Sequence, residues 1–101
     1  MPFTSKQRSH LRAMASTMKP IGQVGKEGIT ETLVESFSEA LEARELIKIT
    51  LLPTAGEERD ERENLALNLA DLLGAELVAV IGRKAVFYRR SSKKNFEHIE
   101  F

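Results

Sequence analysis

The residues best placed to do chemistry are four in a row: Gly25-Lys26-Glu27-Gly28. Glycines let a backbone turn sharply and let an extended ligand approach without meeting a Cβ. Ile21–Val24 precede them and read as a short strand. Thr30 follows as a good N-cap for a helix over about 31–44, which would offer unpaired N–H groups and the positive end of its dipole. Lys26 adds a cation at the loop tip, and Glu27 beside it opposes that charge. A strand, a Gly-x-x-Gly loop and a helix in this order form a device for holding phosphate. A nucleotide-binding P-loop is excluded, because Pro20 stands where its first glycine must be and Glu27 where its Ser or Thr must be.

Alone the four residues say little, since a glycine-rich turn without a ligand reads the same way. The same form of loop clamps nucleotide backbone in KH domains. Charge strengthens that direction. The chain has 101 residues and a formal net charge of zero. Residues 1–28 hold Lys6, Arg8, Arg12, Lys19 and Lys26 against Glu27, a net of +4. Residues 29–82 hold four bases against twelve acids, a net of −8, and residues 83–101 return +4. If the two ends of the chain meet, they make a basic surface backed by an acidic one, which attracts and orients a polyanion.

Positioning elements can be read along the whole chain. Thr4-Ser5-Lys6-Gln7 forms a capping box for a helix to about Ser16, with Leu11, Met14 and Met18 as its buried stripe. The helix over 31–44 turns Leu33, Phe37, Ala40 and Leu41 inward. Leu46–Leu52 is a strand with β-branched Ile47, Ile49 and Thr50. Glu57–Leu73 is a third helix, acidic in its first turns, with Leu65, Leu69, Leu72 and Leu73 inward and Gly74 as its C-terminal cap. Glu76–Ile81 and Ala85–Arg89 are strands joined by Gly82-Arg83 in a type II′ turn. The order is α-β-α-β-α-β-β, an α/β fold with a mixed four-stranded sheet and packed helices. Residues 1–90 are read as one domain, and 91–101 as a charged, mobile tail.

These residues also come as ordered blocks that resemble a known family. Ser5-Lys6-Gln7-Arg8, Lys19-Pro20-Ile21, Gly25 through Thr30, Ala40 through Lys48, and Val80-Ile81-Gly82-Arg83-Lys84 with Tyr88-Arg89 look like the bacterial YhbY proteins. Those are stand-alone CRM domains, named for chloroplast RNA splicing and ribosome maturation. The resemblance covers roughly residues 3–90. It implies the same element order, an RNA partner in the large ribosomal subunit or its precursor, and a part in assembling that subunit. The family's Gly-x-x-Gly falls on Gly25 and Gly28, and the basic residues Lys26, Arg8, Arg12, Lys19, Arg83, Lys84, Arg89 and Arg90 are expected to join those glycines in contacting RNA.

Other readings are weaker. The absence of cysteine removes disulfides, thiolate zinc sites and cysteine nucleophiles. His10 and His98 have no partner at metal spacing. No catalytic residues, metal or cofactor are expected, and the chain is not read as an enzyme. Neither a signal peptide nor a membrane span is apparent, which points to the cytoplasm, and no apolar self-complementary stripe argues against a monomer. Tyr88 is a candidate for base stacking, though packing is its commoner use. Glu31, Glu35 and Glu39 form an acidic stripe at i, i+4 spacing. It reads as a solvated face or, in the alternative function, as the dock of a protein-interaction adaptor.

Overall fold

The computed structural model describes residues 3–101. Helix α1 (Ser5–Ser16) starts at Thr4, whose hydroxyl accepts from the Gln7 N–H while the Gln7 side chain accepts from the Thr4 N–H. Strand β1 (Gly22–Val24) leads to α2 (Glu31–Arg44), β2 (Leu46–Leu51), α3 (Arg59–Leu73), β3 (Glu76–Ile81) and β4 (Lys84–Tyr88). The seven elements follow the expected order. Gly74 ends α3 at φ +60. Gly82 opens the β3–β4 turn at φ +58, and Arg83 is not among the positive-φ residues, as a type II′ turn requires.

The strands lie in the order β1-β2-β4-β3. β1 and β2 are parallel, with Gly22 opposite Ile49 and Val24 opposite Leu51. β4 inserts antiparallel between β2 and β3, with Ile47 opposite Phe87 and Leu77 opposite Phe87 on its other side. β2 and β3 therefore run the same way without touching.

Side chains alternate across this sheet and bury both faces. Ile47, Ile49, Ala85 and Phe87 meet α2 and α3 through Phe37, Leu41, Ala66, Leu69 and Leu73. Leu46, Val78, Val86 and Tyr88 meet α1 through Leu11 and Ala15. Leu72, expected inside, is 61% exposed. The inward stripe of α3 runs through Ala66, Leu69, Ala70 and Leu73, and at 3.6 residues per turn position 72 falls roughly a third of a turn away from its centre.

Three cations hold the frame together. Lys48 Nζ donates to the carbonyls of Ala15 and Met18, closing the C-terminal end of α1. Arg8 Nη1 donates to the carbonyls of Leu77 and Val78, both at 2.6 Å. The register of β3 shifts between Leu77 and Ala79, and Arg8 takes the oxygens that this bulge leaves at the sheet's edge. Arg89 donates to the carbonyls of Leu73 and Ser38 and pairs with Glu42 at 3.3 Å, tying α3 to α2.

The segment 91–101 has no helix or strand, yet it is tied to the body at both ends. Glu45, fully buried and held at φ +65, gathers it. Its carboxylate accepts from the Ser91 N–H at 2.7 Å, the Ile99 N–H at 2.7 Å and His98 Nδ1 at 2.5 Å. The ring of Phe101 then lies 5.4 Å from Phe3 and 4.9 Å from Tyr88. Phe3 and Phe101 thus pack together on the α1 side of the sheet.

Burial pushes the Glu45 carboxyl up, but the hydrogen bonds from His98, Ser91 and Ile99 outweigh it and hold the group below its ordinary value of 4.5. A carboxyl depressed in the folded state stabilises the fold above the unfolded value and loses that contribution as pH falls through the folded one. Urea unfolding of wild type should weaken below pH about 4.5, and Glu45→Gln should be less stable at neutral pH with a shallower loss on the acid side. Equal acid slopes would remove Glu45 from this role. Arg8→Met keeps the aliphatic stem and loses both carbonyl bonds. It should cost about 1–3 kcal/mol in the same assay, whereas Lys6→Met, at an exposed position, should cost almost nothing.

Candidate nucleic-acid interface

The Gly-x-x-Gly segment is a β-turn. The Gly28 N–H donates to the Gly25 carbonyl at 2.9 Å, which puts Lys26 and Glu27 at the exposed tip. The two glycines are needed for different reasons. Gly28 has φ +71 with open space around it, so the requirement is backbone conformation. A Cβ on Gly25 would come within 3.1 Å of Leu52 Cδ1, so there the requirement is room for the β2–α3 loop.

Past the turn, Thr30 caps α2: its hydroxyl accepts from the Leu33 N–H, and the Val34 N–H reaches the Thr30 carbonyl. The N–H groups ahead of Leu33 have no acceptor within their own helix. An open groove runs between the turn and this helix end, lined by Gln23, Lys26, Thr30, Thr32 and Leu52 among others. The groove has the shape and the donors for an extended anion. Its charge is another matter: Lys26 is answered by Glu27 and Glu31. The turn contributes geometry, and positive potential must come from elsewhere.

The remaining candidates fall into separate groups. β1, β2 and β3 all end at one end of the sheet, so the Gly25–Gly28 turn, the 52–58 loop and the Gly82-Arg83 turn share that end. Lys84 lies there, opposite Thr50 and Ile81. Arg83 lies there too, but Nη1 donates to the Gly56 carbonyl at 3.2 Å. Arg8 and Arg12 stand on α1 along the free edge of β3, at the far side of the sheet from β1. Arg8 is committed to the β3 bulge. Arg12 is exposed.

Lys19 is exposed ahead of β1, at the opposite end of that strand from the turn. Arg89 and Arg90 follow β4 at the opposite end of the sheet from the Gly25–Gly28 turn. Arg90 is exposed, while Arg89 directs Nη1 and Nη2 at Leu73, Ser38 and Glu42. The ten residues thus form no single patch: five share the turn end, with Arg83 partly engaged there, and five lie apart from it or serve the frame.

Tyr88 offers no open face for stacking. It is 8% exposed, edge-on to Phe3 and Phe101, and burial, with the Glu45 charge adding to it, pushes its hydroxyl pKa up. Two functional candidates escaped the sequence reading. Arg59 and Arg62 sit in the first turn of α3 and line a surface depression with Arg12, beside Val80, Ile81 and Gly82. Their helical phase could have found them: both fall on the stripe that continues inward as Ala66, Leu69 and Leu73.

Among the described residues no three His, Asp or Glu side chains are grouped to hold a metal, and no helix is long and apolar enough to cross a membrane.

Known proteins share this chain's pattern over nearly its whole length. The CRS1 / YhbY (CRM) domain profile matches residues 3–89. "Probable RNA-binding protein YqeI" of Bacillus subtilis is 38% identical over 91 residues, covering 90% of this chain and 92% of that protein. "Probable RNA-binding protein PA4753" of Pseudomonas aeruginosa is 34% identical over 95 residues, covering 94% and 88%. The solution structure of the hypothetical protein SAV1595 from Staphylococcus aureus superposes with a TM-score of 0.78 at 38% identity, covering 93% of this chain and 95% of that one. The profile match, the two relatives and the shared fold together place the chain in the CRS1/YhbY (CRM) domain family.

Proposed function

We propose that this protein binds RNA in the cytoplasm, as a monomer and without catalysis, and acts on large-subunit ribosomal RNA or its precursor particle during assembly. The observation that carries the reading is the turn at Gly25–Gly28. It sits between β1 and the N-terminus of α2, in a chain whose relatives are described as RNA-binding proteins. A backbone phosphate entering the groove would meet the first-turn N–H groups of α2 and the ammonium of Lys26. Lys84 at the neighbouring turn adds charge at the same end of the sheet. The acidic outer faces of α2 and α3 lie on the other side of the molecule from α1, so a polyanion is oriented as well as attracted.

Salt dependence tests the reading against an adaptor that docks a protein through Glu31, Glu35 and Glu39. Binding to a large-subunit ribosomal RNA fragment should weaken steeply with salt, by about 0.7 in log K per log unit of salt for each single-strand phosphate contact. Lys26→Ala should bind roughly tenfold more weakly and flatten that slope by about one such contact. Gly28→Val, strained at φ +71, should also weaken binding while the chain stays folded by circular dichroism. RNA binding that ignores both the salt and the turn would contradict the proposal, and loss of binding on neutralising the three glutamates would favour the adaptor.

A further inference from the structure

The turn at Gly25–Gly28 is poor in net charge, and the positive side chains at its end of the sheet collect elsewhere. The inward stripe of α3 is apolar where it covers the strands, at Ala66, Leu69, Ala70 and Leu73. Toward the N-terminus of the helix the same stripe becomes Arg62 and Arg59. These two converge with Arg12 of α1, from the opposite side of the sheet, on one depression beside Ile81 and Gly82.

Each guanidinium has donors to spare. Arg62 Nε donates to the Gly82 carbonyl at 3.0 Å and Nη1 to the Glu57 carbonyl at 2.5 Å. Its fork is thereby fixed, and Nη2 is left over. Arg59 uses only Nε, on Glu63 at 3.0 Å. Arg12 has no hydrogen-bond or ion-pair partner among the described residues.

Three cations around one depression repel one another, and Glu63 is the acid that lines the adjoining groove with them. The other acids of this turn, Asp60 and Glu61, lie on the far side of the helix by their phase. Planar forks arranged in this way match the oxygens of a phosphodiester. Exposed apolar surface lies alongside, at Ile81 (42% exposed) and Leu67 (56% exposed), where a ribose or base can rest.

We infer that Arg12, Arg59 and Arg62 form a second backbone-phosphate site at the free edge of β3, so that one RNA strand is held at two points. This rests on the RNA-binding reading above. β1 and β3 are the two edges of the sheet, three strand spacings or roughly 14 Å apart, and the Gly82-Arg83 turn lies between the two sites at the same end. The strand crosses that end of the sheet from the α2 side to the α1 side.

The test uses the full chain and a single-stranded RNA oligonucleotide, with wild type, Lys26→Ala and the double variant Arg12→Ala/Arg59→Ala. Arg62 is left in place because it braces the β3–β4 turn, and Arg12 and Arg59 are exposed enough to be replaced without loss of the fold, which thermal unfolding checks. The double variant should bind at least tenfold more weakly, with a salt slope shallower by about 1.4. Wild-type binding that weakens in Lys26→Ala but keeps its affinity and slope in the double variant would overturn the second site and leave the RNA reading standing. Weakening in the double variant alone would keep the second site and remove the turn. Wild type that binds no RNA would overturn both.

Discussion

The architecture depends on one constraint, the insertion of β4 between β2 and β3. Because β4 is antiparallel to both neighbours, β1, β2 and β3 all point the same way. Three connections therefore open at one end of the sheet: the Gly25–Gly28 turn, the 52–58 loop and the β3–β4 turn. If β3 had paired beside β2 directly, the last turn would still leave its C-terminal end, but β4 would become the edge. The bulge that Arg8 clamps would then lie inside the sheet. The observed order leaves β3 free along one side, where α1 and the first turn of α3 approach it from opposite faces.

Burial on both faces makes this insertion hold. β2 and β4 alternate strictly between the α2–α3 core and the α1 core, so neither strand can slip by one residue without exchanging the two sets. The charges that look like binding residues in a linear reading are partly consumed by this frame. Lys48 ends α1, Arg8 covers the β3 edge, and Arg89 ties the end of α3 to α2. Each donates to backbone carbonyls at a helix end, on a helix or at the sheet edge. The cations with donors left over are Lys26 and Lys84 at the turn end, Arg12 and Arg59 on helix surfaces, and one nitrogen of Arg62.

Much of this was legible in the sequence. Caps at Thr4, Thr30 and Gly74, alternation in 76–88, and the glycine-bounded turns place every element to within a few residues, because these signals act through local backbone chemistry. Leu72 was misplaced because the helix carries leucines on more than one face and only the sheet selects among them. The tail 91–101 looked unattached because its anchor, Glu45, is distant in sequence and reads as one more acid at a helix end. Arg59 and Arg62 were hidden by their acidic neighbours: charge summed along the chain gives −8 for 29–82, while helical phase separates the two signs onto different faces. Gly25, Lys26 and Gly28 were legible because strand, turn and helix are contiguous there.

The proposed RNA path crosses the end of the sheet where β1, β2 and β3 finish. Amide chemical-shift changes during titration of labelled protein with a single-stranded RNA oligonucleotide test it most directly. Changes are expected at residues 25–33, 59–62 and 80–84, with little at Glu45, Ser91 and Ile99. Changes concentrated at Glu31, Glu35 and Glu39 on the outer face of α2, or around Tyr88 and Arg90 at the opposite end, would contradict it.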